Sequence, residues 1–577
     1  MVGLRIKSMI SEILGESIPK NTEHAVSVCL PLWADVVGYE EGDARVLDSL
    51  TTGYPRFFIH ASVKRLCNLI SEQYARAGES CLCFPSYLVA KRCREYITVK
   101  SKQLDKDADI GKIRILQLAM PQDDTDHTGI FDCKIATLFF KSELFPLAKQ
   151  YWQHSGEIVS SRLADYVTER LYPNAIHIDE ATKDNKTFIE TRFGRNLDSS
   201  FINRAKDILR NRIAHKVVET DHNQDVATNV FLFPSGMASI FTAHRLLLNY
   251  DHIRVSNIKH NGVDKSDDII GYGEPYLKTV MFGFPYTDTL SILKKFNHTY
   301  FLGLGDESAM KDLIGILESG EQILAVFLEA PSNPLLKMCD MSKLKQLSQQ
   351  YGFFIVVDET VSGFVNIDIL SYCDIVCSSL TKIFSGDSNV IAGSLVVNPA
   401  SKLHDFAIDF LNDPKRNEDL LWCEDSVYLE RNSRDFIDRA QKINKIAEDL
   451  VSTVLLEEEG QLLEKIYYPS LTSPESKLNY DSVKCNNGGY GGLISIVFKR
   501  EDQAKVFYDN LSLNKGPSLG TNFTLVCPYA ILAHYAELDE VAKYGVVKNL
   551  VRISVGLESL ETLQTIFRKA FDAAKDV

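Results

Sequence analysis

The sequence predicts an α/β protein built on a doubly wound, mainly parallel sheet, followed by a smaller C-terminal α+β domain. From about residue 229 to residue 399, apolar strand-like runs alternate with segments of helical periodicity. Such alternation is typical of a parallel sheet covered by helices on both faces. Beyond Pro399 helical patterns dominate, and the strand-like runs GGLISIVF and NLVRISVG come late in the chain. These observations predict the fold class.

Length and charge limit the architecture and the partners. A chain of 577 residues is too long to fold around a single hydrophobic core. A typical size of roughly 150 residues per domain predicts three or four folding units. A hydrophobic fraction of 45% and a charged fraction of 24% describe an ordinary globular protein. Lys and Arg number 63 against 77 Asp and Glu, for a net charge of −14, so we expect no nucleic-acid partner.

The cysteines and the N-terminus indicate a compartment. The twelve cysteines are scattered and form no CxxC pair, which predicts reduced, mostly buried thiols and no metal site. No apolar run approaches the roughly 18 residues that span a bilayer. Charged residues, among them Arg5 and Glu12, interrupt the N-terminus, so it lacks the apolar core of a secretory signal. We therefore expect the protein in the cytoplasm and expect no membrane partner.

We divide the chain into four parts. Residues 1–150 form an N-terminal extension that carries no motif with an assignable chemistry, and residues 151–226 form a largely helical arm. Residues 227–400 form the large domain, which contains the predicted ligand-binding motifs. Residues 401–577 form the small domain. The role of the extension is left open.

Two neighbouring runs carry the strongest chemical signal. FFIVVDE at Phe353–Glu359 ends on acidic residues, and DIVCSSLTK at Asp374–Lys382 ends on a lysine. In one parallel sheet, Asp358 and Lys382 would share the edge where such sheets bind ligands. A lysine amine can form a Schiff base with the aldehyde of pyridoxal phosphate, and a carboxylate can keep the pyridine nitrogen protonated. Either residue alone is more often structural, so the interpretation depends on further contacts.

A phosphate site is predicted at the start of the first helix of the large domain. In FPSGMASIFTAHR a strand ends at Phe233 and Gly236 begins a helix. The backbone N–H groups of Gly236 and Met237 then lie at the positive end of the helix dipole and can bind a phosphate. Without the other motifs, a plain strand-to-helix turn would be the better interpretation.

Three polar residues complete the predicted cofactor contacts. Ser379 and Thr381 precede Lys382, and their hydroxyls can reach the same phosphate. Asn333 in EAPSNPLL follows a strand end between two prolines and can hydrogen-bond the ring oxygen of the cofactor. The alternatives are local turn hydrogen bonds for the hydroxyls and an ordinary turn asparagine.

Taken together, these motifs carry a family resemblance. SGMAS, EAPSNP, VVDET, SSLTK and RISVGLE, in this order, resemble the Cys/Met-metabolism family of pyridoxal phosphate enzymes, over roughly residues 185–575. The segments CLPLWADVVGYEEGD, TGYPRFFIH, RFGRN, GPSLGTNFTL and LVRISVGLE are similar to its fungal cystathionine γ-synthase branch, which has a long N-terminal extension. The resemblance implies a fold-type I pyridoxal-phosphate-dependent transferase.

The resemblance also implies roles around the cofactor. FGFPYTDTL makes Tyr286 the residue that stacks on the cofactor ring and relays protons, with a plain core aromatic as the alternative. The Tyr-x-Arg pair that the family donates to the phosphate across a subunit interface matches Phe193–Arg195, within the arm. Arg195 is kept, whereas Phe193 replaces the tyrosine and removes one hydroxyl donor.

Two residues near the C-terminus are implied to bind substrate. Arg552 in RISVG matches the arginine that pairs with the substrate α-carboxylate, a task that suits the planar guanidinium fork. A salt-bridged surface arginine is the alternative. Ser518 in GPSLG matches the serine beside the same carboxylate. Pro517 stands where bacterial members often have Glu, which changes how the amino group of the second substrate is recognised.

The activity implied is a γ-replacement in trans-sulfuration and methionine biosynthesis. Lys382 would move protons at Cα and Cβ while the acyl group of O-acetyl- or O-succinyl-L-homoserine leaves. Addition of cysteine gives cystathionine, and addition of sulfide gives homocysteine. The resemblance to the fungal cystathionine γ-synthase branch favours the synthase over the O-acetylhomoserine sulfhydrylase. A lyase and a catalytically silent relative with a structural or regulatory role are further alternatives. A homodimer or homotetramer with shared sites is implied.

Overall fold

The computed structural model describes residues 10–104, 112–119, 134–171, 199–217, 226–258 and 277–577. Phe193 and Arg195 lie outside these ranges, so their predicted phosphate contacts stay predictions. Within the described ranges, no helix has both the length and the apolar character that a membrane crossing needs.

The N-terminal segment, residues 10–60, packs on the C-terminal domain. Strands β1 (Ser17–Ile18) and β2 (Ser27–Val28) pair antiparallel, and two helices follow at Trp33–Glu41 and Ala44–Leu47. The Tyr508 hydroxyl donates to the Leu30 carbonyl at 2.7 Å. These contacts join the two ends of the chain.

Residues 61–171 form a unit of their own around an antiparallel sheet. Its described strands are β3 (Glu79–Phe84), β4 (Arg114–Ala119) and β5 (Lys134–Lys141), with β5 in the middle. The helices of this unit are Ala61–Tyr74, Tyr87–Gln103, Phe145–Ser155 and Ser161–Leu171. The Ser86 hydroxyl accepts from the Val89 N–H and so caps the second helix.

The large domain contains a sheet of seven described strands. They are β6 (Val230–Phe233), β7 (Lys278–Phe282), β8 (Thr299–Leu302), β9 (Ile323–Glu329), β10 (Phe354–Asp358), β11 (Ile375–Ser379) and β12 (Gly393–Val397). The spatial order is β6-β12-β11-β10-β9-β7-β8. Only β12 runs against its neighbours among these strands. The predicted doubly wound, mainly parallel sheet is confirmed.

Helices cover both faces of this sheet. Their bounds are Ser199–Val217, Gly236–Ile258, Thr287–Phe296, Glu307–Glu318, Met341–Tyr351 and His404–Asn412. The buried helix Gly236–Ile258 packs against β11 and β12. The side chains of Asp306 and Asp340 accept backbone N–H groups at the starts of two outer helices, which gives each exposed helix a defined beginning.

The register of three parallel strands positions the site. In β10, Asp358 lies opposite Glu329 of β9 and Cys377 of β11. The carboxyl ends of these strands therefore lie at one edge of the sheet. The turn that follows β11 carries Lys382 to the same edge, as the sequence predicts.

The small domain has the predicted α+β character. Its described strands are β13 (Leu463–Tyr467), β14 (Leu493–Phe498), β15 (Asn514–Lys515), β16 (Leu525–Cys527) and β17 (Leu550–Ser554), in the order β13-β14-β17-β16-β15. Helix Cys423–Asn432 packs on Ser199–Val217 of the large domain. The helices that follow are Phe436–Leu450, Leu456–Glu458, Pro474–Val483, Glu501–Asn510, Tyr529–His534, Leu538–Ala542 and Leu560–Lys575. GGLISIVF forms β14 and NLVRISVG forms β17, as expected.

Four aromatic rings join the N-terminal unit to the large domain. Tyr96 and Tyr151 lie 5.7 Å apart, and Phe241 and Phe296 of the large domain lie 5.2 Å apart. Tyr96 contacts Phe296 at 5.8 Å and Tyr151 contacts Phe241 at 6.1 Å, so the rings close a cycle. The unit of residues 61–171 therefore packs on the large domain through a shared apolar core.

Candidate active site

A cavity opens at the edge of the sheet where the large domain, the small domain and the N-terminal segment meet. Polar side chains from all three parts face it, and large apolar side chains form much of its wall. Its lining residues are Tyr54, Arg56, Phe57, Ser235, Gly236, Met237, Ile240, Tyr286, Glu329, Pro331, Asn333, Asp358, Thr360, Val361, Ser379, Lys382, Ile391, Pro517, Ser518, Leu519, Tyr529, Leu532, Ala533 and Arg552.

The Lys382 amine lies at the centre of the polar groups. The side chain is 7% exposed, and its Nζ donates to the Ser518 Oγ at 2.8 Å. The ring of Tyr54 lies 4.4 Å from Nζ. Burial, followed by the positive charges of Arg552 and Arg56, lowers the pKa of Lys382 well below its usual value. The lowered pKa favours the neutral amine, the form that attacks an aldehyde.

Asp358 is fixed by its neighbour two residues on. Its Oδ1 accepts the Thr360 N–H at 2.9 Å and the Thr360 hydroxyl at 2.6 Å. The same hydroxyl oxygen accepts the Ser379 N–H at 2.8 Å. Burial raises the pKa of Asp358, and the two bonds from Thr360 lower it. Thr360 therefore orients the carboxylate and ties the ends of two strands together.

Glu329 is a second buried carboxyl group beside Asp358. Its two oxygens accept the Tyr286 N–H at 2.6 Å and the Asn333 N–H at 2.8 Å. It therefore holds the loops that carry the predicted stacking ring and the predicted amide. Burial and the adjacent Asp358 raise the pKa of Glu329 to about 8. A pKa of about 8 favours the protonated form of Glu329 at neutral pH.

The start of helix Gly236–Ile258 fits closely against β11. A Cβ added at Gly236 would lie 2.7 Å from the Cβ of Ser379, a contact that no real side chain tolerates. The first N–H groups of a helix have no acceptor within it. Gly236 and Met237 line the cavity, and their predicted phosphate contacts stay predictions.

Arg56 brings a positive charge to this helix start. It is 1% exposed, and its Nη2 pairs with Asp288. Its Nη1 is buried without a hydrogen-bond partner among the described residues. One point, where a Cβ on Gly156 would sit, lies 2.7 Å from that nitrogen and 2.8 Å from the Ala238 N. This nitrogen therefore lies close to the first turn of the helix, where the helix dipole also favours an anion.

The two hydroxyls predicted to reach the phosphate differ in their surroundings. Ser379 lines the cavity. Thr381 is buried elsewhere, because its hydroxyl accepts the Ala392 N–H at 3.0 Å and donates to the Ala392 carbonyl at 3.3 Å. The structure thus gives Thr381 the local turn bonding that the sequence left open as an alternative.

The predicted carboxylate site is assembled around Arg552. Its Nη1 donates to the Asn333 Oδ1 at 3.0 Å, and its Nη2 donates to the Ser518 carbonyl at 2.7 Å. Ser518 has a φ of 91°, a left-handed conformation that is rare for serine. Arg552 is buried, so the alternative of a salt-bridged surface arginine is wrong. The loop of Ser518 contacts both the arginine and the catalytic amine.

Sequence reasoning missed several lining residues. Tyr54 and Arg56 belong to the extension, where no motif pointed to chemistry, and Tyr529 begins a short helix of the small domain. Their contacts arise from packing between distant parts of the chain, which spacing does not reveal. Glu329 ends the run ILAVFLE, so the rule that found Asp358, an acidic residue at the end of a buried strand, would have found it too.

Comparisons with known proteins agree with this geometry. A family described as Cys/Met metabolism PLP-dependent enzyme matches residues 285–572, and the N-terminal domain of fungal trans-sulfuration enzymes matches residues 62–160. A cystathionine γ-synthase of Saccharomyces cerevisiae is 52% identical over 98% of this chain and 100% of its own. The chain belongs to the Cys/Met-metabolism family of pyridoxal-phosphate-dependent enzymes.

Two further proteins named cystathionine γ-synthase are similar to this chain. A cystathionine γ-synthase of Neurospora crassa is 38% identical over 98% of each chain. A solved cystathionine γ-synthase of Xanthomonas oryzae pv. oryzae in complex with cystathionine is 22% identical. It covers 66% of this chain and 89% of its own, with a TM-score of 0.52. That likeness shows the fold, and the predicted family and fold-type I architecture are confirmed.

The described residues fit pyridoxal phosphate, the cofactor of the family. The cavity offers a neutral amine at Lys382, a carboxylate at Asp358 and an aromatic ring at Tyr286. The unpartnered Nη1 of Arg56, next to the first turn of helix Gly236–Ile258, supplies the charge that a phosphate needs.

The substitution Glu329→Gln tests the raised pKa. Between about pH 5 and 8 the folded protein holds a proton on Glu329 that the unfolded chain has released, so the free energy of unfolding falls as the pH rises. This group contributes roughly 1 kcal/mol per pH unit to that fall. We expect Glu329→Gln to lack the contribution, as measured by urea unfolding of the cofactor-free proteins at several pH values.

The exposed Glu464→Gln is the matched control for this experiment and should keep the wild-type slope. Carboxyl groups distant from Glu329 are common to all three proteins and cancel in the comparison. Equal slopes for wild type and Glu329→Gln would contradict a proton on Glu329.

Proposed function

We propose that this protein is a pyridoxal-phosphate-dependent cystathionine γ-synthase. It replaces the γ-acyloxy group of O-acetyl- or O-succinyl-L-homoserine with the thiol sulfur of L-cysteine, which yields cystathionine and releases acetate or succinate. The observation that carries the proposal is the convergence of Lys382, Asp358 and Arg552 on one cavity. The proposal is supported by 52% identity over 98% of the chain to a protein named cystathionine γ-synthase.

The cofactor contacts are assigned to the residues that face the cavity. When bound, pyridoxal phosphate supplies an electron sink for a substrate carbanion. Lys382 would hold its aldehyde, Asp358 its ring nitrogen and Tyr286 one face of its ring. The remaining contacts are Asn333 at the ring oxygen, and Gly236, Met237, Ser379 and Arg56 at the phosphate.

Lys382 is the acid and base of the proposed reaction. Its lowered pKa favours the neutral amine once a substrate amino group has released it, and the neutral amine can take the Cα proton. The same amine then moves protons at Cβ while the acyloxy group leaves Cγ as acetate or succinate. The hydrogen bond of 2.8 Å to the Ser518 Oγ keeps Nζ on the side of the small domain where Arg552 lies.

Arg552 orients the substrate through its α-carboxylate. Asn333 and the Ser518 carbonyl each accept one terminal N–H and hold the guanidinium plane fixed. Tyr54, Phe57, Leu532 and other apolar groups line the remaining wall and exclude water from the reacting carbons. The fixed guanidinium and the apolar wall together align the substrate Cα with the amine of Lys382.

A sulfhydrylase is the second candidate, and one observation favours it. Pro517 lines the cavity beside Ser518, so that position offers no carboxylate to the ammonium group of an incoming cysteine. Sulfide needs no such partner. The two activities differ in the nucleophile and share every other residue role.

The assembly proposed is a homodimer or homotetramer with shared active sites. In it, Arg195 of the arm reaches the phosphate of the neighbouring site, and Arg56 serves the phosphate within its own chain. The proposed compartment is the cytoplasm, supported by cysteines that are all free within the described part of the chain.

A product assay tests the proposed function. The cofactor-loaded protein receives O-acetylhomoserine with either cysteine or sulfide, and Lys382→Ala serves as the blank. We expect cystathionine as the main product and a fall of about 10²- to 10⁴-fold in turnover for the blank. Homocysteine from sulfide with little cystathionine would establish the sulfhydrylase. No turnover with either nucleophile would favour the catalytically silent relative.

The assignment of Arg56 to the phosphate is tested by cofactor affinity. Loss of a charge-assisted hydrogen bond should weaken pyridoxal phosphate binding to Arg56→Gln by about 10- to 100-fold. Binding of pyridoxal, which lacks the phosphate, should not change. Arg56→Lys keeps the charge beside Asp288 and should lose less. An equal loss for both ligands would show that Arg56 supports the fold through Asp288 instead.

A further inference from the structure

Tyr529 places a buried hydroxyl group in the cavity wall. The residue begins helix Tyr529–His534 and is 2% exposed. Its hydroxyl has no hydrogen-bond partner among the described residues. Burying a hydroxyl without a partner costs free energy, so a native protein rarely retains such a group without a use for it. A ligand that enters the cavity is the natural partner.

The ring of Tyr529 supports the predicted carboxylate-binding arginine. The central carbon of the Arg552 guanidinium lies 4.7 Å from the ring centroid, a cation–π contact. Arg552 gives one N–H to Asn333 and one to Ser518. The guanidinium also contacts the Cys527 thiol. Of its five N–H donors, two are left for a ligand. Tyr529 thus lies directly against the guanidinium that still has donors for a ligand.

The protonation state of Tyr529 makes it a donor. Burial raises the pKa of the phenol above its usual value, and the charge of Arg552 lowers it by less. The group is therefore a neutral O–H at any physiological pH. A carboxylate has about four lone-pair sites, of which the guanidinium fork fills two. An adjacent O–H can fill a third.

We propose that Tyr529 is a substrate-binding residue whose hydroxyl donates a hydrogen bond to the α-carboxylate held by Arg552. This inference rests on the proposed function, which supplies an α-amino acid as the ligand. It extends the carboxylate site from Arg552 and Ser518 to a third residue, on a different element of the small domain. The hydroxyl acts on binding and contributes nothing to the ligand-free fold.

Tyr529→Phe tests the hydroxyl alone, because the ring over Arg552 is retained. In the holoenzyme we expect affinity for O-acetylhomoserine, read from the change in cofactor absorbance, to fall by about 10- to 100-fold. The Tm without substrate should stay the same or rise, since an unpaired buried hydroxyl is removed. Unchanged affinity would overturn the proposal.

A matched control variant separates binding from folding. The Tyr468 hydroxyl is also buried, but it donates to the Gly491 carbonyl at 3.1 Å, away from the cavity. Tyr468→Phe should therefore lower the Tm and leave substrate affinity unchanged. If Tyr529→Phe followed this pattern, its hydroxyl would be structural and the proposal would be wrong.

A second ligand identifies the group that the hydroxyl binds. 3-Aminopropyl acetate is O-acetylhomoserine without its carboxylate, and wild type and Tyr529→Phe should bind it equally. An equal loss for both ligands would place the hydroxyl on the ester and overturn the carboxylate assignment. The titration measures binding and not turnover, so a wild type that binds the amino acid without making product counts against the proposed function alone.

Discussion

The parallel pairing of β9, β10 and β11 is the constraint on which the active site depends. Because their carboxyl ends share one edge, Glu329, Asp358 and the turn to Lys382 are neighbours although they are distant in sequence. A slip of one residue in β10 would turn Asp358 to the other face of the sheet. The buried apolar residues of all three strands fix the register. The packing of the core therefore determines where the polar groups of the active site lie.

The cavity is prepared for a charged ligand before any ligand binds. Two buried arginines, Arg56 and Arg552, flank the amine of Lys382 and help to keep it neutral. Arg56 and the phenols of Tyr286 and Tyr529 also keep polar atoms without partners in the described structure. These unpaired groups cost stability in the free protein, and a ligand that pairs them stabilises the fold on binding. The N-terminal segment supplies Arg56, so it belongs to the site.

The sequence predicted what lies at the ends of strands and little of what packing brings together. Asp358, Lys382 and Gly236 follow apolar runs, so their place at the sheet edge could be read from the pattern. Tyr54 and Tyr529 reach the cavity only because distant segments fold onto the sheet. A hydroxyl such as that of Thr381 can bind a ligand or its own turn, and only the structure shows that it bonds Ala392.

The central claim is that the neutral amine of Lys382 binds the cofactor in this cavity. Reduction of the holoenzyme with borohydride, followed by peptide mapping, tests it most directly because the reduced bond survives digestion. The account predicts a single modified peptide that carries the pyridoxyl group on Lys382. A pyridoxyl group on another lysine, or none on a protein that retains the cofactor, would contradict it.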